Sequence, residues 1–170
     1  MVKANYEEQI DVKIMLLGVV SKYCDINILE EDIEQLKKKK YVIFDLNLIK
    51  WTSETFHSNI QKSLNFPEYY GKNLAAFKDC LGDMFEDPKF GIVIVFRHFE
   101  LLYNHNKDLC EGILDAIDDI SWEWLILGKK LICLIQSEDP DLFIDKIGGY
   151  NPVWNNREWL DSKRRRSKSR

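Results

Sequence analysis

Two short runs constrain this chain more than any other feature: residues 91–96 (GIVIVF) and 130–136 (KLICLIQ) are apolar at nearly every position. A strand with one wet face alternates polar and apolar residues, so runs like these belong to strands covered on both faces. That is the mark of a parallel sheet with helices on either side. Residues 41–46 (YVIFDL) supply a third strand. Between the strands the apolar period is helical. Ser53 opens a helix, with Thr52 or Ser53 as its cap, and Phe56, Ile60 and Leu64 form one stripe. Pro67 ends it, and Asn73 caps a second helix running to about Phe85, with Leu74, Phe77, Leu81 and Met84 or Phe85 facing inward. A third helix covers 107–120 through Leu109, Ile113, Ala116 or Ile117, and Ile120. The order β-αα-β-α-β predicts an α/β fold built on a small three-stranded parallel sheet flanked by helices.

The 170 residues suit one main domain, and the central unit at 40–137 leaves extensions at both ends. Residues 9–29 read as two short strands around Gly18, a hairpin, because Ile10, Val12, Ile14, Val19 and Val20 are β-branched. Residues 30–40 (EEDIEQLKKKK) put acids first and lysines last, the order that suits a helix dipole. The N-terminal extension, 1–39, is therefore expected to be a hairpin plus a helix. Residues 138–161 form a C-terminal extension containing Tyr150, Trp154 and Trp159, and 162–170 form a basic tail that reads as solvated and disordered.

Several function classes find no support. No apolar run approaches the roughly 20 residues that cross a bilayer, and Met1 to Glu8 lead directly into acids without a secretory core, so a cytoplasmic protein without membrane contact is expected. Cys24, Cys80, Cys110 and Cys133 contain no C-x-x-C pair, and His57, His98 and His105 are few partners for a zinc site; no metal and no cofactor are expected. Gly148-Gly149 lacks the residues that make a phosphate loop. No pairing of nucleophile and base is signalled, so the chain does not read as an enzyme.

Charge is the feature left over. The net charge is −4, but Lys163, Arg164, Arg165, Arg166, Lys168 and Arg170 crowd the tail, and removing those six leaves −10 on residues 1–161. A body that acidic repels nucleic acid and attracts a basic partner. On the second helix Asp79, Asp83 and Glu86 recur at i, i+4 and i+7 and share one face. The third helix adds Asp108, Glu111, Asp115, Asp118 and Asp119, with no Lys or Arg from Asp108 to Leu127. Three carboxylates on an exposed helix without a loop cage fit poorly with calcium or magnesium, whereas a protein partner fits well.

The stretch Phe66-Pro67-Glu68-Tyr69-Tyr70-Gly71-Lys72-Asn73-Leu74-Ala75-Ala76-Phe77-Lys78-Asp79-Cys80-Leu81 resembles the barstar family, intracellular inhibitors of barnase-like ribonucleases. The resemblance extends over roughly 40–136. It implies an immunity-type, non-enzymatic protein whose loop and second helix enter the active site of a basic nuclease toxin, where carboxylates take the place of an RNA phosphate; a monomer is expected, with the sequence itself leaving the oligomeric state open. Carried over by position, Tyr69 is the aromatic contact, Asp79 the central carboxylate and Asp119 the acid from the third helix, while Gly71 lets the loop approach closely. Tyr70, Asn73, Lys78, Asp83 and Glu86 complete the expected contact face. Two positions depart from the family pattern: Ala75 replaces an acid contact, and Lys78 stands where Trp is frequent. The target could therefore be another toxin. A scaffold module working through the tail and the Trp154/Trp159 segment is the competing expectation.

Overall fold

The computed structural model describes residues 9–86 and 90–167. The signal reading of Met1 to Glu8 and the tail residues Lys168 and Arg170 fall outside them. In chain order the elements are α1 (Ile10–Met15), β1 (Val20–Tyr23), α2 (Ile26–Lys38), β2 (Val42–Asn47), α3 (Ser53–Ser63), α4 (Leu74–Asp83) with a 3-10 turn at Met84–Glu86, β3 (Gly91–Arg97), α5 (Phe99–His105), α6 (Lys107–Ile126), β4 (Lys130–Gln136), β5 (Val153–Trp154) and α7 (Asp161–Ser167).

The α/β class and the parallel sheet flanked by helices stand, but the sheet has five strands rather than three, in the order β2-β3-β4-β1-β5, all parallel. The two added strands come from the extensions. β1 pairs with β4 through Val20 opposite Cys133, and β5 pairs with β1 through Ser21 opposite Val153.

The apolar runs are buried on both faces, and each face has its own cover. Ile92, Ile94, Phe96, Leu131, Cys133 and Ile135 meet Phe56, Ile60, Phe77, Leu81, Ile113 and Ile117 from α3, α4 and α6. The alternate residues Val93, Val95, Ile132 and Leu134 meet Ile10, Leu29, Ile33 and Leu36 from α1 and α2. The N-terminal extension thus closes the second face of the same sheet.

The expected N-terminal hairpin is replaced by a helix and a strand. Ile10 and Ile14 lie four apart and point inward while Val12 is exposed, so the operative period in this segment is helical. Gly18 makes the turn into β1 at φ 127°, with the Tyr150 ring where a Cβ would stand. The Tyr150 hydroxyl accepts from the Val19 and Val20 amides at 2.9 and 3.2 Å, tying the C-terminal extension to the start of β1. Asp11, buried on α1, accepts from Lys39, Lys130 and the Tyr41 hydroxyl at 2.5, 2.6 and 2.8 Å. Burial pushes its carboxyl up, but those hydrogen bonds outweigh burial and hold it well below the usual carboxylate range.

The basic tail also departs from expectation, since 161–167 are helical rather than disordered. Arg164 is only 8% exposed. It donates to the carbonyls of Pro140, Glu158 and Trp159 at 2.8, 3.0 and 2.9 Å and stacks 4.7 Å from the Trp154 ring centre. Arg165 pairs with Asp161 and Asp141. A run of like charges folds here because neighbouring carbonyls and carboxylates take up its guanidinium groups.

Candidate partner-binding site

The site begins at the loop after α3. Tyr70 is turned inward and only 4% exposed, packed at a tilt against Phe66 with 5.1 Å between ring centres, with its hydroxyl 2.6 Å from His57 Nδ1. It anchors the loop and does not lie on the contact face where it was expected. Tyr69, the next side chain along, is 79% exposed. The positive φ of the turn falls on Lys72 at 51°, not on Gly71, which is exposed. Asn73 spends its side chain locally: its oxygen accepts from the Ala76 amide at 2.8 Å, capping α4, and its amide donates to the Gly71 carbonyl at 3.1 Å. The loop is thereby pinned at both ends, presenting Tyr69 outward.

The loop sets the direction of α4. Phe77, Cys80 and Leu81 face the core, which leaves Asp79 and Asp83 on the outer face and Glu86 on the turn that follows. Facing them across a cleft of about 600 Å³ is α6, which contributes Ile120 and Trp124 to the floor and Glu123 to the rim. Trp124 packs edge-on against Phe85 at 5.6 Å between ring centres. Ser121 donates to the Leu131 carbonyl at 2.8 Å, and these contacts carry α6 one and a half turns beyond its expected end at Ile120. Glu123 was missed for that reason, although it continues the i, i+4 series from Asp119.

Asp79, Asp83, Glu86 and Glu123 gather on one rim, and no hydrogen bond or ion pair among the described residues engages their carboxylates. Asp119 is also exposed, but it is held by Lys78 Nζ at 2.9 Å. That hydrogen bond raises the Lys78 pKa against a small opposing effect of burial, with the charges of Asp119, Glu123 and Asp79 adding to the rise. The departure at Lys78 therefore bridges α4 to α6 and covers one of the expected acids.

Glu111, Asp115 and Asp118 do not extend this surface as expected. Glu111 accepts from the Tyr103 hydroxyl at 2.9 Å, and Asp115 accepts from the Gly148 amide at 3.1 Å. Asp118 is buried beneath Gly148, where φ is 56° and a Cβ would collide with its carboxylate. Burial raises its pKa. Of the other expected acids of α6, Asp108 is exposed at the far, N-terminal end of the helix.

Among the described residues no cluster of three or more His, Cys, Asp or Glu could hold a metal ion, and no helix is long and apolar enough to cross a membrane. Cys80, Cys110 and Cys133 are buried in the core, and burial pushes the Cys110 thiol up to about 12.

On this α/β domain a pinned loop with one exposed aromatic leads into a rim of carboxylates over an apolar floor. The family model described as Barstar (barnase inhibitor) matches residues 41–136, more than half of the chain, and the chain belongs to that family. A relative in Bacillus subtilis (strain 168), named "Putative ribonuclease inhibitor YrdF", is 32% identical over 78 residues, covering 44% of this chain and 82% of its own length. The family is one of inhibitors rather than enzymes.

Proposed function

We propose that this protein inhibits a basic ribonuclease of the barnase type by placing the α4 face and the Tyr69 loop in its active site. One observation carries the reading: Asp79, Asp83, Glu86 and Glu123 converge on one cleft with no hydrogen-bond or ion-pair partner among the described residues, inside the segment that matches the inhibitor family. Carboxylates left without intramolecular pairs are available to a cationic pocket built for phosphate, and their summed field speeds encounter. Asp79 is the central carboxylate, Tyr69 the packed aromatic edge, and Asp83, Glu86 and Glu123 extend the contact along the cleft. The chain acts as an immunity protein in the compartment where the nuclease would otherwise do harm.

Lys78 and Ala75 favour a second target class. With Lys78 closing on Asp119 and no acid at position 75, the face offers fewer carboxylates near Asp79 than the family pattern implies. A nuclease toxin with a differently arranged cationic site would suit it better. The scaffold reading is weakened because Arg164 and Arg165 are committed to intramolecular contacts.

The test is titration of RNA cleavage by a barnase-type ribonuclease with the purified protein at low and high salt. Stoichiometric inhibition that weakens with salt supports the reading. No inhibition at equimolar protein refutes the barnase-type target and leaves the other nuclease class as the reading to pursue.

A further inference from the structure

Lys22 on β1 is only 4% exposed. Among the described residues its ammonium has one hydrogen-bond acceptor, the Leu142 carbonyl at 2.8 Å, and no carboxylate, and it lies 4.7 Å from the centre of the Trp154 ring. An ammonium carries three donors, and a buried charge is ordinarily matched by an opposite one. The neighbouring charge here has the same sign. Arg164 lies 4.7 Å from the same ring centre, held by three carbonyls and, at 3.6 Å, by the exposed Asp161. Burial first, and then the Arg164 charge, lower the Lys22 pKa to about 8, so the ammonium is still mostly protonated at pH 7. Two buried cations thus share one aromatic ring.

Lys22 lines a groove of about 460 Å³ at the β5 edge of the sheet, together with Leu17, Pro152, Trp154, Asn156 and Trp159. That volume falls within the ~300–1,000 Å³ of small-molecule sites. Leu17 is exposed and Trp159 is 65% exposed, so the flanks are broad and apolar. Asn156 is exposed too, and its side-chain amide makes no hydrogen bond among the described residues. We propose that this groove binds a small carboxylate with an aromatic body, its anionic end at the Lys22 ammonium and its ring against Trp154 and Trp159. Charge selects the anionic end, because a carboxylate brings Lys22 an opposite charge and acceptors for its donors. The two indoles select the body, since a bare inorganic anion would leave their faces uncovered. A free amino acid fits less well, because its own ammonium would face Lys22 and Arg164. Every residue of the groove lies outside 41–136, so the proposal does not rest on what the acidic cleft binds.

The test titrates the full chain at pH 7 with para-fluorophenylacetate, followed by fluorine NMR and by the indole N–H signals of Trp154 and Trp159, with para-fluorophenylacetamide as the neutral match. The expected result is saturable binding of the carboxylate that moves both indole signals, and at least tenfold weaker binding of the amide. Lys22→Met replaces a buried charge by an apolar side chain of similar length, so it should keep or raise the melting temperature while binding the carboxylate at least tenfold more weakly. Trp159→Ala, at an exposed position, should keep the fold and bind several-fold more weakly, and it carries the test if Lys22→Met does not fold. Three results overturn the proposal: no saturable binding up to tens of millimolar, equal binding of the neutral amide, or parent-like binding by a folded Lys22→Met or Trp159→Ala variant.

Discussion

The carboxylates of the α4 cleft and those of the terminal extensions are one chemistry in two environments. Asp11 takes three donors from Lys39, Lys130 and Tyr41, and Asp32 takes Tyr23 at 2.9 Å and Arg157 at 2.6 Å. Glu158 receives the amides of Cys24 and Asp25 at 3.1 and 2.7 Å. All three are buried. Asp79, Asp83, Glu86 and Glu123 are exposed and have no such donors among the described residues. A buried carboxylate must be paired or it destabilises the fold, whereas an exposed one can wait for a partner at little cost. The contrast separates acids that hold the extensions onto the sheet from acids that are available for recognition.

The largest expected effect breaks the recognition side. Asp79→Ala should weaken nuclease inhibition by about 1000-fold, roughly 4 kcal/mol, a scale taken from close charge pairs in the barnase–barstar complex rather than from this chain. Melting should move little, because the side chain is exposed; inhibition constants and a thermal melt on the same sample check both. Asp11→Ala should do the reverse, costing about 3 kcal/mol of stability while each folded molecule still inhibits. Its pH dependence follows from the depressed folded pKa. The stabilisation is fully present above about pH 4, where the unfolded carboxyl ionises, and it is lost as the pH falls further. Parent and Asp11→Ala stabilities, read by urea unfolding, should therefore differ equally at pH 7 and pH 5 and converge only in stronger acid.

Deleting residues 162–170 sharpens the comparison, because it removes Arg164 and its three carbonyl contacts. The loss should be about 2 kcal/mol and lower Tm by roughly 5 °C, with inhibition by the folded protein unchanged. A tail that served as the working surface would show the opposite pattern. The smallest change is expected for Lys78→Ala, which frees Asp119 and removes a cation beside Asp79. Association with a basic ribonuclease should become several-fold faster and more salt-sensitive, seen in stopped-flow rates, while the thermal melt stays essentially that of the parent.

Much of this was legible in the sequence. The caps at Thr52 and Asn73 are where the chain put them, since both side chains accept from the amide three residues on. β4 spans its expected residues, and the outward series Asp79, Asp83 and Glu86 emerges along one side of α4 and the turn that follows it. Local readings failed where distant contacts decide. Tyr69 and Tyr70 are chemically equivalent neighbours, and only the packing of Phe66 and His57 determines which one turns inward. Asp115, Asp118 and Asp119 are near neighbours on α6, yet Gly148 covers the first two and Lys78 claims the third.

The sequence by itself determined α3, α4 and most of α6, the two strands buried on both faces and the motif that marks the family, because propensity, capping and apolar period act over a few residues. The tertiary structure decided that β-branched residues around Gly18 become a helix and a fourth parallel strand, and that a basic tail folds around Arg164. It also decided which carboxylates remain available on the surface. Those outcomes depend on partners more than a hundred residues away in some cases, as with Val19 and Tyr150 or Cys24 and Glu158. Burial forces each polar group to find such a partner, and no local pattern encodes which one it will be.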